Sequence, residues 1–379
     1  MRTRVLVVAM LNSIHTARWL SQFEDRDLEI HLFPSTYYAA LHPQIKALIK
    51  ANTKCDFVIS RPVRFQGYLD YLQNRALSKI FNYFTRVERL DRKIKKVNPE
   101  KVHALEFQHA GYLCLEVINR YGKNFELIST NWGSDIYYFQ KYPDHARRIA
   151  QLLELTDKYS AECSRDIDLA NKFGYQGKIL PLVPNSGGFP VDTILKERSA
   201  TSQRKLVLVK SYGGLFGRSN LILEIIPALC QKFPEVSFYF YSLTDDLVPW
   251  VRELLGAYPD RIKYSTVSNP LDYQELQLLF DAARVYIGCS VSDGISTSFL
   301  ESLISGAYPV QTNTSCADEW VKKGAVASLV SLDSDELLGE VSRALSDDYL
   351  VDTAQSANRK IAIDLLDSDL ITEAVQIFY

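Results

Sequence analysis

Ser290-Val-Ser-Asp-Gly-Ile-Ser-Thr-Ser-Phe-Leu-Glu-Ser-Leu-Ile-Ser-Gly-Ala-Tyr-Pro-Val310 follows the apolar run Val285-Tyr-Ile-Gly-Cys289. That run reads as a strand buried on both faces. Phe299, Leu300, Leu303 and Ile304 keep the helical period, Gly306 stops the helix, and Tyr308-Pro-Val-Gln311 opens another strand. Strand, polar turn, helix and strand make the repeating unit of an α/β domain with a parallel sheet. The polar turn is thus predicted at the carboxyl end of a strand and the amino end of a helix, where open α/β sheets bind ligands. Backbone amides there, from Gly294, Ile295, Ser296, Thr297 and Ser298, favour an anion such as phosphate. Asp293 and Glu301 flank the turn eight positions apart, and Glu301 is placed to reach a hydroxyl beside that anion. Taken alone, the stretch is also compatible with an ordinary surface helix carrying a solvated glutamate.

Outward from this unit, short apolar runs alternate with helical patterns along the whole chain, as in doubly wound α/β folds. Strands are predicted at 5–9, 28–33, 56–59, 101–105, 125–129 and 178–182, then at 206–210, 237–242, 262–264, 285–289, 308–311 and 327–330. Helical stretches include 221–232, 273–283 and 334–345. A chain of 379 residues exceeds one ordinary core. A Pro-, Gly- and Ser-rich stretch from Pro184 to Gln203 marks the linker. The expected division is a first Rossmann-like domain over 1–190, a second over 204–356, and a final helix over 357–379.

The net charge of −2 conceals an asymmetry. Residues 1–196 carry 28 basic and 20 acidic side chains, and residues 197–379 carry 15 and 25. A basic first half suits an anionic surface or acceptor. Its densest segment, Arg86 to Lys101, follows Phe65, Tyr68, Tyr71, Phe81, Tyr83 and Phe84. Aromatics before a basic helix suit peripheral contact with an anionic membrane, although a core helix with a solvated basic face explains the same residues. A slightly acidic pI of about 6.3 and no recognised module argue against nucleic acid. No apolar run is long enough to span a bilayer, and Asn12, Ser13, His15 and Arg18 end the first apolar run too early for a leader. The six cysteines are scattered without zinc spacing, and several sit in apolar runs, as reduced core residues of a cytoplasmic protein do.

Four more polar loops follow predicted strands. Val207-Leu-Val-Lys-Ser-Tyr-Gly-Gly-Leu-Phe-Gly-Arg-Ser219 puts Lys210 and Arg218 around glycines. The glycines permit close backbone approach, and two cations can neutralise a diphosphate. Met10-Leu-Asn-Ser-Ile-His-Thr-Ala-Arg-Trp-Leu20 sets Asn12, Ser13, His15 and Arg18 directly after the first strand. Val102-His-Ala-Leu-Glu-Phe-Gln-His-Ala-Gly111 carries His103 within a strand, a structural position, and His109 beyond its end. In Thr130-Asn-Trp-Gly-Ser-Asp-Ile136, Asp135 is expected to cap a helix. A glycine-rich dinucleotide fingerprint is absent, against an NAD or FAD protein. No metal-ligand spacing appears.

The spacing of Asp293 and Glu301, with Gly306-Ala-Tyr-Pro-Val310 behind it, resembles the E-x7-E motif of retaining glycosyltransferases of the GT-B fold, family 4 in particular. Here Asp293 stands where that motif has its first Glu. Ser13-Ile-His-Thr-Ala-Arg-Trp19 is also similar to a first-loop sequence of that family. The resemblance implies two facing Rossmann-like domains with a cleft between them and a last helix returning to the first domain. It implies a metal-independent enzyme with no cofactor, whose donor substrate is a nucleotide-sugar, UDP- or GDP-linked. Lys210 and Arg218 would hold the diphosphate, Glu301 the ribose and Asp293 the sugar. His109 would act beside the transferred sugar. Asn12, Ser13, His15 and Arg18 would face a glycan, lipid-linked or other hydroxyl acceptor, as in polysaccharide biosynthesis. A nucleotide-sugar epimerase of the same fold, or a non-catalytic sugar-binding protein, stays open beside this reading.

Overall fold

The computed structural model describes residues 2–36, 41–51, 53–59 and 85–379. The aromatic residues between Phe65 and Phe84 lie outside the described residues. The chain forms two α/β units, Met1–Gly187 with Ile371–Tyr379, and Gly188–Leu370.

The first unit holds β1 (Thr3–Ala9), β2 (Leu28–Pro34), β3 (Asp56–Ile59), β4 (Lys101–Leu105), β5 (Glu126–Thr130), β6 (Lys158–Ser160) and β7 (Lys178–Ile179). They pair in parallel in the order β3-β2-β1-β4-β5-β6-β7. The second unit holds β8 (Leu206–Lys210), β9 (Ser237–Leu243), β10 (Ile262–Thr266), β11 (Ala283–Gly288), β12 (Tyr308–Thr312) and β13 (Ser328–Val330). Their order is β10-β9-β8-β11-β12-β13, again parallel. Each sheet reverses its winding once, between β1 and β4 in the first and between β8 and β11 in the second.

Both faces of each sheet are covered, so central strands bury every residue, as β11 and β12 do. Alternate residues of one strand feed different clusters. Leu6 and Val8 of β1 pack with Ile94 and Leu113, and Val5 and Val7 with Trp19 and Ile30. In the second unit Val207 and Val209 face Ile222 and Phe240, and Leu208 faces Phe299 and Leu303. Cys55, Cys114, Cys230 and Cys289 are buried free thiols within these layers.

The division falls at Gly187, three positions before the expected 190, and the returning segment starts at Ile371 rather than 357. Packing explains the shift. The helix Asp348–Leu366 buries Val351, Ala354, Asn358, Ala362 and Leu366 in the second unit. Asn358 there both accepts from the Val326 amide at 2.7 Å and donates to its carbonyl at 2.9 Å. The helix breaks at Asp367, where Phe189 donates to the Leu366 carbonyl and accepts from the Ser368 amide. A short helix Ser368–Val375 follows, and Ile371, Val375 and Phe378 enter the core beneath β1.

Candidate functional site

In the second unit the carboxyl ends of β8 and β11 adjoin at the winding reversal. Lys210 ends β8, and the glycine loop after it is laced to the segment after β11. Gly217 bridges Ser290, Arg218 donates its amide to the Cys289 carbonyl at 3.1 Å, and Val291 donates to the Phe216 carbonyl at 2.9 Å. Ser219 locks the loop's base, accepting from the Tyr212 amide and donating to the Lys210 carbonyl. Gly217 is required here, since a Cβ would meet the Tyr212 carbonyl oxygen at 1.9 Å.

The structure brings Lys210, Asp293 and Glu301 into one electrostatic group. Burial works to lower the Lys210 pKa, but the Tyr212 and Tyr286 phenols and the Asp293 and Glu301 carboxylates outweigh it and raise the ammonium above its ordinary value. Lys210 also lies 5.2 Å from the centre of the Tyr212 ring. Glu301, 5% exposed, sits in the second turn of the helix Thr297–Ser305 and is buried with Ser298 and Ser302. That helix starts at Ser296 with no side-chain cap on its first amides. Its amino end therefore presents donors and the positive end of the helix dipole. Ser298 accepts from the Tyr241 hydroxyl at 2.7 Å, which fixes the first turn, and Asp293 accepts from the Gly294 amide at 2.9 Å. Ile295 and Ser296 are buried, and Gly294 accepts from the Cys316 amide at 2.7 Å. Arg218 differs from Lys210: its guanidinium folds back on the carbonyls of Gly214 and Gly217.

The sequence reading missed the polar floor of this site. Tyr286 is fully buried in β11, where its hydroxyl meets Ser296, and Gln311 is 2% exposed in β12, where its Oε1 has no hydrogen-bond partner. Both crowd Gly288, where a Cβ would lie 2.4 Å from Gln311 Oε1 and 2.5 Å from the Tyr286 hydroxyl. A buried polar atom left without a partner costs about 1–3 kcal/mol, so Gln311 Oε1 marks a place that a polar ligand or water can satisfy. A phenol interrupting the run Val285-Tyr-Ile287 is the signal that could have revealed it.

In the first unit the loops after β1, β4 and β5 carry the other expected residues. Ser13 caps the helix Ile14–Ser21, its Oγ accepting from the His15 amide at 3.2 Å, so its side chain is committed to structure. Asn12 is exposed, and His15 and Arg18 are half-buried. His15 meets Trp132 edge to face with ring centres 5.7 Å apart. His103 is structural: its two ring nitrogens bond Tyr379 and Thr130 at 2.6 Å each, and burial lowers its pKa to about 3. His109 is exposed on a single π-helical turn, Phe107–Gly111, its pKa lowered by partial desolvation and by Arg86.

Two buried carboxyls support that turn. Glu106 accepts from the amides of His109 and Ala110, the latter at 2.6 Å. Asp135 does not cap the helix Ser134–Tyr137, contrary to expectation. It accepts from the Phe107 amide at 3.1 Å and the Trp132 amide at 2.9 Å, because the positive φ of Gly133 (80°) turns the chain inward. Burial, then each other's proximity, raises Glu106 to about 8; burial, opposed by its two amide donors, leaves Asp135 raised to about 7.

Two parallel α/β units, each with a single winding reversal, define the GT-B fold, and comparison with solved structures agrees. The chain is similar to Anabaena HepE in complex with UDP-glucose (14% identity, 100% of this chain and 99% of that one, TM-score 0.71). It is also similar to sucrose-phosphate synthase from Thermosynechococcus elongatus (14%, 100% and 98%, 0.67) and to α,α-trehalose 6-phosphate synthase from Burkholderia multivorans (12%, 100% and 96%, 0.70). Residues 4–154 match the family model described as glycosyl transferase 4-like. No curated protein matches the chain. The family match lies within the first unit, and the likeness to solved structures is one of fold.

Proposed function

We propose that this protein transfers a sugar from a nucleotide-sugar, UDP-linked, to a hydroxyl acceptor. The observation that carries the reading is Lys210, Asp293 and Glu301 gathered beside the uncapped amino end of Thr297–Ser305. A cation and a helix end together suit a diphosphate leaving group, and Glu301, buried on one turn further in, suits ribose hydroxyls. The HepE structures with UDP, UDP-glucose, and UDP and glucose support the choice of UDP.

In this reading Lys210 and the uncapped first amides of the helix Thr297–Ser305 stabilise the charge that develops on the departing diphosphate, so the leaving phosphate can take the acceptor's proton without an enzyme nucleophile. The sugar then keeps its anomeric configuration. Arg218 joins the clamp by leaving the Gly214 and Gly217 carbonyls when the diphosphate arrives. The first unit presents the acceptor, a glycan or lipid-linked hydroxyl, through Asn12, His15 and Arg18. No helix among the described residues is long and apolar enough to cross a membrane. The helix Arg86–Val97 turns much of its charge inward, with Lys93 buried beside His31 and Arg86 bonded to the Ser35 carbonyl, which favours a structural role for it.

The test is thermal stabilisation by UDP-, GDP-, ADP- and CMP-linked sugars without added metal. At about 100 times its Kd a donor stabilises the fold by about 2.7 kcal/mol. Stabilisation by a UDP-sugar alone supports the reading; no response to any of them overturns it.

A further inference from the structure

The turn that bears His109 hangs on one residue with an unusual backbone. Glu106, directly after β4, has φ 87° and ψ 156°. Side-chain-bearing residues rarely adopt such a conformation, and it persists only where the surroundings hold it. It persists here because every polar group of Glu106 is engaged. Its amide donates to the Thr130 carbonyl of β5 at 3.1 Å, and its carbonyl accepts from the Gly111 amide at 2.9 Å. Its carboxylate, inside a residue 3% exposed, takes the His109 and Ala110 amides. The chain thus turns back so that the side chain of Glu106 can hold the backbone of the next turn from within. Asp135 completes the grip through Phe107, and Gln108 Nε2 donates to the Asp135 carbonyl at 2.9 Å. Single π turns recur at functional sites, and this one aims an exposed histidine.

We infer that Glu106 is a positioning residue, whose carboxylate fixes the π turn so that His109 keeps one orientation at the site. The inference rests on the reading of His109 as a site residue. The turn around His109 is otherwise buried, with Phe107 and Ala110 wholly enclosed, so the Glu106 side chain takes the place of water at the Ala110 amide and leaves only the histidine exposed.

The groups facing Glu106 set its response to pH. Asp135 adds negative charge from the segment after β5, and Asp166, beside Asp135, does so from the helix Ser164–Lys172. Arg165 pairs with Asp166 at 2.8 Å. Tyr112 and Cys114 lie on the helix Tyr112–Tyr121, both with pKa values raised to about 12 by burial. Glu106 and Asp135 are thus both raised above the ordinary carboxyl range, burial being the main cause for each. Burial and Asp135 resist ionisation of Glu106, while the His109 and Ala110 amides that it holds favour its charged form.

The experiment compares Glu106→Gly, which accepts the positive φ but removes the carboxylate, with Glu106→Gln, which keeps one acceptor oxygen. Hydrogen exchange at His109 and Ala110, the NMR titration of the His109 ring, UDP affinity, and UDP release from UDP-glucose are measured in the full chain. In Glu106→Gly the two amides exchange at least about 100-fold faster, and the ring titrates closer to an ordinary histidine. UDP affinity stays within about twofold and UDP release falls about tenfold. In Glu106→Gln, which keeps one acceptor for the two amides, the losses are smaller. Wild-type exchange and ring titration in a folded Glu106→Gly variant would overturn the inference. If the wild type neither binds UDP nor releases it, the donor reading fails instead, and exchange and ring titration still decide the role of Glu106.

Discussion

The two winding reversals of this chain are the same in topology and opposite in construction. At β8/β11 the loops are laced mainly by backbone bonds through glycines, and Lys210, Asp293 and Glu301 group beside an uncapped helix. At β1/β4 the side chains do the lacing. Ser13 caps its helix, while Glu106 and Asp135 pin the next loops from inside, leaving His109, His15 and Asn12 outward. One sheet thus builds an anion site from a helix amino end and a half-buried cation. The other spends its carboxyls on holding loops still. A common fold assigns the place of a site, and the local bookkeeping of hydrogen bonds assigns its chemistry.

Lys210→Ala should separate the two most sharply. Loss of the cation at the diphosphate lowers kcat/KM with a UDP-sugar by about 100-fold, and the melting of the first unit is unchanged. An unaltered kcat/KM would break the comparison, because the second reversal would then be as structural as the first. Gly217→Ala comes next. Its Cβ would meet the Tyr212 carbonyl at 1.9 Å, so the lacing must shift. Calorimetric titration with UDP should show about tenfold weaker binding, with about 2 kcal/mol lost from the second unit.

The third effect is one of pH. Asp135 releases its proton at about 7 in the folded protein and near 4 when unfolded. The folded state binds more protons in between, so this group makes stability fall as pH rises from about 4 to 7. Asp135→Asn should flatten that slope in melting curves of the first unit; an unchanged slope would show that Asp135 titrates normally. The smallest effect is expected from Ser13→Ala, a loss of about 1 kcal/mol from the missing cap with donor affinity unaltered. A tenfold fall in turnover without that stability loss would move Ser13 from the frame of the site to its surface.

The backbone of this account was readable in the sequence where strands are buried on both faces. β3, β4 and β8 have the expected bounds. β6, only Lys158-Tyr-Ser160, was missed because its three residues give no period, and β7 is shorter than its apolar run because only Lys178 and Ile179 find partners on β6. Lys210, Asp293 and Glu301 stood out as charges at strand or helix ends. Glu106 and Asp135 did not, because a carboxyl that caps a helix and one that turns inward to hold a loop look alike until the backbone angles of Glu106 and Gly133 are known. Tyr286 and Gln311 were hidden for the complementary reason, being polar atoms inside strands that otherwise read as core.

The last residues of the chain carry a consequence for the order of synthesis. Trp19 donates to the Tyr379 hydroxyl, that hydroxyl bonds His103 beside β1, and Phe378 is wholly buried against Trp19. A ribosome makes residues 188–370 between the bulk of the first unit and these partners. The second unit can therefore finish folding while the first still waits, its core open, for Ile371 to Tyr379 to emerge.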